Sequence, residues 1–430
     1  MVTEANTGQE GGHGSGNAPR VLGVIEGFYG RPWQAGQRRR LFGQMAAWGM
    51  NTYLYAPKDD AWHRAVWRDP YPEAEEVALA QLVQAANDAG VQFVYALAPG
   101  LDLDWEDPAD QSALLTKLGT VARLGVRHFA LLFDDIPRTA DLAAQALMQA
   151  RAANTARGHL EGLGARGLFL FCPTEYCARR AVPSVGESPY LAVLGEQLHP
   201  DILVFWTGPE VISVDITAAS VREVAGVLRR RPVLWDNLHA NDYAPRRVHL
   251  GPYAGRPLDL RAELSGILTN PNNQFEVNSP GLFSLAEYGV AESHWTPEAS
   301  LERALAGWLE QFNTAAEVPV TASDLALLAD SLYLPQRVGP RAMALHAAAQ
   351  ALLAGGSAAP LFEARATYRR LLMALERGTN RELLFDLHPF LVDLIEELSR
   401  LLREAGHLDP TEVNGVPFRG GLAERLTLIR

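Results

Sequence analysis

The sequence has very little cysteine, with Cys172 and Cys177 as its two thiols in 430 residues. Two cysteines so close together cannot form the disulfide framework of a small secreted protein, and they are too few for a four-cysteine zinc site. We therefore expect a chain that folds by burying apolar side chains, which make up 48% of its residues. The reducing cytoplasm is the compartment that fits this cysteine content.

The sequence also has a deficit of positive charge and no long apolar run. It carries 38 Lys and Arg against 50 Asp and Glu, a net charge of -12. Nucleic acid and anionic membranes are therefore not expected partners, and a neutral or cationic substrate is favoured. No uncharged run could span a bilayer, and residues 1–19 contain no apolar signal-peptide core. We predict a soluble protein with a disordered tail at 1–19.

Short runs of β-branched and aromatic residues recur between Val21 and Pro271, each followed by a stretch rich in Ala, Leu, Arg and Glu. The eight runs start 30 to 40 residues apart, the length that a parallel strand, a crossover helix and two loops require. This period predicts an α/β fold, a closed (β/α)8 TIM barrel over residues 20–293. The runs are VLGVIEG, NTYLYAP, VQFVYALAP, HFALLFDDI, GLFLFCPT, DILVFWTGP, PVLWDNLH and GILTNP.

The alternative architecture is an open, doubly wound sheet. Such a sheet commonly has fewer strands, and a glycine-rich phosphate-binding turn follows its first strand. Here the first strand leads into EGFYGRPW, starting at Glu26, which lacks that fingerprint. The barrel is therefore favoured.

From about Trp295 the apolar residues recur at helical spacing, which predicts a C-terminal all-α helical domain over residues 294–430. We predict helices at Ser323 to Leu334, Arg341 to Leu353, Leu361 to Arg377, and Arg381 to Arg403. The last of these has an apolar stripe on one side, a pattern more typical of an internal core than of a partner groove. The stripe consists of Leu391, Leu394, Ile395, Leu398, Leu401 and Leu402.

The predicted strand ends carry acids, amides and aromatic residues, and in a barrel the reactive groups lie at these ends. This mixture suits a sugar, whose hydroxyls need fixed hydrogen-bond partners and whose ring packs against an aromatic plane. No His-x-His pair stands at a strand end, so no catalytic metal is expected. The candidates are Glu26, Gly27, Phe28, Tyr29, Gly30, Lys58, Asp59, Asp60, Asp134, Asp135, Glu175, Tyr176, Trp206, Trp235, Asp236, Asn237, Asp242, Tyr243, Asn270, Asn272 and Asn278.

The segment LLFDDIP is the sharpest local feature, because an apolar strand runs directly into Asp134 and Asp135. Adjacent carboxylates cannot both ionise freely, so one can hold its proton and act as a general acid while the other stays charged. The alternative is a helix N-cap followed by a first-turn acid.

The other candidates have structural alternatives as well, and only their convergence on one barrel face favours ligand contact. The alternatives are a solvated loop cation for Lys58, packing for Tyr176 and Trp235, and turn formation for Asn237, Asp242 and Asn278.

At these strand ends the sequence resembles glycoside hydrolase family 84, the O-GlcNAcase and hyaluronidase-like β-N-acetylglucosaminidases. The resemblance covers most of residues 21–280 and implies a retaining enzyme that needs no cofactor. In this mechanism the substrate's own acetamido oxygen attacks the anomeric carbon and forms an oxazoline intermediate. The matching segments are GVIEGFYGRPW, NTYLYAPKDDAWHR, LLFDDI, FCPTEYC, FWTGPEVIS, WDNLHANDY, LGPYAGR and GILTNPNNQFEVN.

The resemblance also implies roles for single residues. By position, Asp134 would orient the acetamido group and stabilise the oxazoline, and Asp135 would be the general acid and base. The implied sugar contacts are Gly27 through its backbone, Lys58, Asp242 and Asn278 through their side chains, Asn237 near the acetamido group, and Tyr176 and Trp235 lining the acetamide pocket.

The implied partner is a glycoprotein or glycoside that carries N-acetylglucosamine, and family members that pair through the helical domain suggest a homodimer. Two alternatives stay open at this point: a hyaluronidase-like endo-hexosaminidase and an inactive carbohydrate-binding protein. The identity of the group that carries the sugar also stays open.

Overall fold

Eight parallel strands form a closed barrel in the computed structural model, which describes residues 21–312 and 319–408. Each strand pairs with its neighbours in the chain, and β1 closes the ring against β8, with Val21 opposite Gly266. The predicted tail at residues 1–19 lies outside the described residues. The strands are β1 Val21–Glu26, β2 Thr52–Tyr55, β3 Gln92–Leu97, β4 His128–Leu132, β5 Phe169–Cys172, β6 Leu203–Trp206, β7 Val233–Asp236 and β8 Gly266–Thr269.

The side chains of β1 alternate between two apolar clusters, as the period of two in a strand requires. Val21 and Ile25 belong to the cluster that fills the barrel, while Leu22 and Val24 pack in the layer between the barrel and its helices. Both faces of the strand are therefore apolar, which explains why the strands read as almost continuous hydrophobic runs in the sequence. The predicted (β/α)8 barrel is confirmed.

The helices that connect the strands cover the outside of the barrel. The prediction that a helix follows every strand is wrong at one connection. A long loop with the 3-10 turn Leu258–Glu263 joins β7 to β8, and no α-helix forms among those residues. Pro245, Pro252 and Pro257 interrupt this segment, and proline disrupts a helix interior. The helices are α1 Ala35–Ala47, α2 Glu73–Asp88, α3 Pro108–Arg123, α4 Leu142–Gly162, α5 Pro189–Gln197, α6 Ala218–Leu228 and α7 Ser279–Val290.

A helical region follows the barrel, as predicted. Its apolar core includes the stripe of the last helix, in which Leu391, Leu398 and Leu402 are buried, and it continues onto Leu250 and Val277 of the barrel loops. No helix in the described ranges combines the length and apolar character needed to cross a membrane. The helices are α8 Pro297–Trp308, α9 Ala322–Ser331, α10 Pro340–Leu353, α11 Ala359–Arg377 and α12 Arg381–Glu404.

Candidate active site

A cavity of about 310 Å³ opens at the carboxyl ends of the strands. This is the end of a barrel at which reactive groups gather, because every parallel strand delivers its following loop there. Both acids of the LLFDDIP segment line the cavity. The lining residues are Gly27, Tyr29, Lys58, Asp134, Asp135, Cys172, Tyr176, Thr207, Val211, Ile212, Trp235, Asn237, Ala240, Asp242, Tyr243 and Asn270.

Asp134 lies deep in the cavity and forms an ion pair with Lys58, and both side chains are buried. Burial raises the pKa of Asp134, but the ammonium group of Lys58 outweighs this effect, so the pKa of the carboxyl lies below its usual range. Burial likewise lowers the pKa of Lys58, and Asp134 reverses the direction. Asp134 is therefore ionised, and its Oδ1 atom is buried without a hydrogen-bond partner among the described residues. A buried acceptor without a partner is unusual in a folded protein, and a hydrogen-bond donor of a ligand would satisfy it.

Asp135 has different surroundings although it is the next residue. Its side chain is 31% exposed, Oδ1 accepts hydrogen bonds from the Tyr176 hydroxyl at 2.8 Å and from Arg180 at 3.2 Å, and Oδ2 accepts from the Tyr29 hydroxyl at 3.1 Å. The burial of Tyr176, reinforced by this carboxylate, raises the pKa of its phenol, which therefore stays a donor. These contacts hold Asp135 at the mouth of the cavity.

The backbone at Asp135 explains how both acids reach one cavity. Successive side chains of an extended strand point to opposite faces, whereas Asp135 has a φ of 53°, in the left-handed region. Asp is among the few residues other than glycine that adopt this conformation with modest cost, and such strained positions are concentrated at functional sites. The turn places one carboxylate at the floor and the other at the rim.

Gly27 and Trp235 form one wall of the cavity. A Cβ atom on Gly27 would lie 2.6 Å from Cζ2 of Trp235, so the backbone approaches the indole at a distance that only glycine permits. The indole also faces Lys58, whose Nζ atom is 5.7 Å from the ring centroid. Trp235 therefore supplies an apolar plane next to the buried ion pair.

Asn237 and Asp242 also line the cavity, at the loop that follows β7. The Asn237 oxygen accepts from the indole of Trp235 and from the amide of Asn270, both at 3.1 Å, and its amide donates to the Val211 carbonyl at 2.8 Å. Asp242 accepts the backbone N–H of Tyr29 at 3.0 Å. Both side chains are thus held in place before any ligand binds.

Asn278 is the one predicted sugar-contact residue that does not line the cavity. Its oxygen accepts from the backbone and the side-chain amide of Asn272, and its amide donates to the carbonyls of Asn272 and Gln274. Both the oxygen and the amide group of this side chain are therefore bonded within the loop after β8. The expectation that this side chain reaches a sugar hydroxyl is therefore corrected: it holds the loop instead.

Asn270, which directly follows β8, does line the cavity. Its Oδ1 atom is buried and has no partner among the described residues, while its Nδ2 atom donates to Asn237. The place of Asn270 at a strand end was the available sequence signal. The sequence gives no comparable signal for Arg180, because it lies in the 3-10 turn Ala178–Arg180, beyond the end of β5 at Cys172.

Cys172 lines the cavity as a free, buried thiol, and Cys177 is also free and buried. Burial raises the pKa of Cys172, an effect that the negative charge of Asp134 reinforces, so the thiol is neutral and a poor nucleophile. Across residues 21–312 and 319–408, no group of three or more His, Cys, Asp and Glu side chains could hold a metal ion. The other polar side chains that line the cavity include carboxylates, phenols, amides and the ammonium group of Lys58.

Comparison with known proteins places this geometry in context. A family model described as beta-N-acetylglucosaminidase matches residues 22–321. The chain is 46% identical over 288 residues to Protein O-GlcNAcase of Rattus norvegicus, and 46% identical over 278 residues to that of Mus musculus. These matches cover 66% and 64% of this chain but only 31% and 30% of the relatives, so the chain spans about a third of their length.

A solved structure extends the likeness into the helical region. A variant of the O-GlcNAc hydrolase from Thermobaculum terrenum superposes with a TM-score of 0.79 at 28% identity. The superposition covers 90% of this chain and 84% of that chain. The similarity therefore includes most of the helices after the barrel as well as the barrel itself.

Proposed function

The chain belongs to the β-N-acetylglucosaminidase family, as its resemblance to glycoside hydrolase family 84 predicts. From this premise we propose that it is a retaining glycoside hydrolase that removes terminal β-linked N-acetylglucosamine. The observation that carries the proposal is the difference in surroundings between two adjacent acids. Asp134 is buried and paired with Lys58, while Asp135 is partly exposed and held by hydroxyl groups. One acid suits a permanent charge, and the other suits proton transfer.

In the first step the acetamido oxygen of the bound sugar attacks the anomeric carbon. The glycosidic C–O bond breaks, Asp135 gives its proton to the departing oxygen, and a cyclic oxazoline forms. Asp134 orients the acetamido N–H and stabilises the positive charge that spreads over the ring. Its unpartnered Oδ1 atom is the acceptor that this role needs.

In the second step Asp135, now a carboxylate, takes a proton from water. The water oxygen attacks the anomeric carbon from the side that the leaving group vacated, and the bond to the acetamido oxygen breaks. Two inversions at the same carbon give net retention of configuration. Because the attacking group is tethered to the substrate, the protein supplies no covalent nucleophile.

The remaining cavity residues position the sugar. We assign hydroxyl contacts to the backbone of Gly27 and to the side chains of Lys58, Asp242 and Asn270, the last in place of Asn278. Asn237 is assigned to the neighbourhood of the acetamido group, which Tyr176 and Trp235 enclose. The support for this assignment is that all seven residues line one cavity.

The size of the cavity favours a terminal sugar over an internal one. At about 310 Å³ it is at the small end of ligand pockets, which run from roughly 300 to 1,000 Å³. An endo-acting enzyme would need a cleft that accommodates sugars on both sides of the cut bond. The name of the rat and mouse relatives, Protein O-GlcNAcase, supports a protein that carries the sugar as the substrate.

Three broader statements belong to the same proposal. We place the protein in the cytoplasm, supported by two free buried thiols. We divide the chain between residues 293 and 294, in the segment between α7 and α8. We also propose homodimerisation through the helical domain, where Met343, Leu353 and Phe385 are exposed.

The decisive experiment varies the nucleophile within the substrate. Fluorination of the acetamide methyl group weakens the acetamido oxygen with little change in size, so turnover of aryl N-acetylglucosaminides should fall steeply with each added fluorine. The aryl glucoside, which has a hydroxyl in place of the acetamide, should be essentially inert, because a well-oriented tethered nucleophile contributes on the order of 7 kcal/mol or more.

Three other results would each point elsewhere. A flat response to fluorination, or a sugar ester trapped on a carboxylate of the protein, would refute the substrate-assisted mechanism. Cleavage within a polymer but not at its end would indicate an endo-hexosaminidase. Binding without any hydrolysis would indicate a carbohydrate-binding protein.

A further inference from the structure

Arg180 is the cation closest to the carboxylate assigned to proton transfer. Its guanidinium donates a hydrogen bond to Oδ1 of Asp135 at 3.2 Å and lies over the ring of Tyr176, 4.5 Å from the centroid. The side chain is 33% exposed, so it is held in place by these two contacts and still accessible from solvent. A guanidinium fixed against an aromatic face loses little rotamer freedom when it binds an anion.

Arg180 is positioned for the group that leaves, not for the sugar. It is absent from the lining of the cavity, and it contacts Asp135 at the exposed rim. If Asp135 protonates the glycosidic oxygen, the leaving group must pass along this rim. A group that binds Arg180 would therefore belong to the aglycone.

The reaction itself removes the counter-charge of Arg180. To act as an acid, Asp135 must carry a proton, and a neutral carboxyl no longer compensates the guanidinium. An anionic group on the aglycone would take that place while the substrate is bound. Once the proton has moved to the departing oxygen, Asp135 is a carboxylate again and competes for Arg180, which favours release of the product.

The two neighbouring arginines differ in their availability. Arg138 is exposed, and its guanidinium donates to the backbone carbonyl of Arg180 at 3.1 Å, so it adds positive charge at the same rim. Arg179 is 74% exposed but is paired with Glu210 at 3.2 Å. The rim is thus locally basic on a chain whose net charge is -12.

We propose that Arg180, supported by Arg138, forms an anion-recognition subsite for the aglycone, so that the protein prefers peptides with a carboxylate side chain close to the glycosylated residue. This inference rests on the proposed function and adds a substrate class to it. It also departs from the neutral or cationic substrate that the overall charge favours, because a contact at the rim depends on local charge.

The test compares three glycopeptides that carry N-acetylglucosamine on one serine flanked by Asp, Ala or Lys. The wild-type protein should give a kcat/KM about two- to fivefold higher for the Asp peptide than for the Ala peptide, the effect of one partly screened ion pair, and the lowest value for the Lys peptide. The ratio should shrink as the ionic strength is raised. An uncharged aryl N-acetylglucosaminide measured in parallel reports the proposed function separately.

Three variants assign the preference to Arg180. Arg180→Met should reduce the Asp-to-Ala ratio to about one, Arg180→Lys should keep most of it, and Arg179→Met, the control, should leave it unchanged. The ratio is the readout because a general loss of activity cancels from it. Since Arg180 also contacts Asp135, an Arg180→Met protein that is slower on every substrate but keeps the ratio would make Arg180 a positioning residue and overturn the proposal.

The remaining outcomes are equally distinct. Equal kcat/KM values for the three peptides, with normal hydrolysis of the aryl substrate, would overturn the anion subsite and leave the proposed function intact. No hydrolysis of the aryl substrate would overturn the proposed function, and the subsite with it.

Discussion

At the scale of single residues, the roles of the two acids are separable by the leaving group. Asp135→Asn removes the proton donor but keeps the shape of the side chain, so we expect a loss of roughly 10²- to 10⁴-fold on alkyl glycosides, whose departing oxygen needs protonation. Activated aryl glycosides with acidic leaving groups should lose far less. The check is kcat/KM across aryl glycosides of graded leaving-group pKa, and equal losses along the series would contradict the assignment of Asp135.

Asp134→Asn should behave differently. Attack by the acetamido oxygen accompanies departure of the leaving group, and every substrate needs this attack whatever its leaving group, so this variant should slow activated and unactivated substrates alike. Loss of the buried carboxylate also leaves Lys58 without its counter-charge, which is costly at a buried site. Thermal unfolding measured beside the kinetics separates the two effects, and near-normal rates for a folded Asp134→Asn protein would show that the roles have been assigned wrongly.

Asn270 and Asn278 can be compared by the same substitution to alanine. We expect the change to weaken substrate binding at Asn270 and to lower the stability of the fold at Asn278. Asn270→Ala removes a free acceptor at the cavity and should lower kcat/KM about tenfold with little change in stability. Asn278→Ala leaves buried amide and carbonyl groups unpaired and should lower the free energy of unfolding by about 1–3 kcal/mol. The reverse pattern would restore Asn278 to the site.

At the scale of elements, helix α12 carries a pH-sensitive contact with the barrel. Asp386 accepts the backbone N–H of Glu276 at 2.9 Å, and burial, together with the nearby carboxylates of Glu276 and Glu382, raises its pKa to about 7. The unfolded chain loses this proton near pH 4, so between about pH 4 and pH 7 the folded state binds more protons than the unfolded state. Stability should therefore fall as the pH rises through that window and level off above it.

Asp386→Asn should remove this dependence. Because one pKa unit corresponds to about 1.4 kcal/mol and water screens part of the effect, we expect the variant to be about 1–2 kcal/mol more stable than the wild type at pH 8 and nearly equal to it at pH 4. Denaturation melts at both pH values provide the measurement. Asp393→Asn, at an exposed position of the same helix, is the control, and a similar gain there would point to a general effect of charge.

The end of α9 shows how an element can depend on contacts far away in the chain. Periodicity predicts a helix that continues to Leu334, but α9 ends at Ser331. The carbonyls of Leu332 and Tyr333 instead accept the backbone N–H groups of Leu250 and Gly251, each at 2.7 Å. Local sequence could not predict this end, because the competing hydrogen bonds come from the loop between β7 and β8.

At the scale of the whole molecule, the proposed homodimer is open to a direct test. Met343, Phe362, Met373 and Phe385 are exposed on the helices that follow the barrel, and Phe385 is 63% exposed. Light scattering at micromolar concentration should give twice the mass of 46.9 kDa, and Phe385→Ser should shift the mass towards the monomer. Leu163→Ser, an exposed apolar residue beside the barrel, should have no effect. A wild-type monomer would contradict the prediction.

The sequence by itself determined the architecture, because the spacing of the apolar runs is set by the lengths of strands, helices and loops. The observed strands begin within two residues of the predicted starts. It also placed most of the cavity residues, since a residue that follows a parallel strand must lie at the carboxyl end of the barrel. Both consequences come from local chain geometry.

Tertiary structure alone decided which residues in the connecting loops face the cavity. Asn270 and Asn278 are equally polar and lie in one loop, yet only the first lines the cavity, because the second is consumed by hydrogen bonds to Asn272 and Gln274. Arg180 reaches Asp135 across 45 positions in the chain. The path of a loop depends on contacts between distant segments, and the spacing of residues along the chain does not predict those contacts.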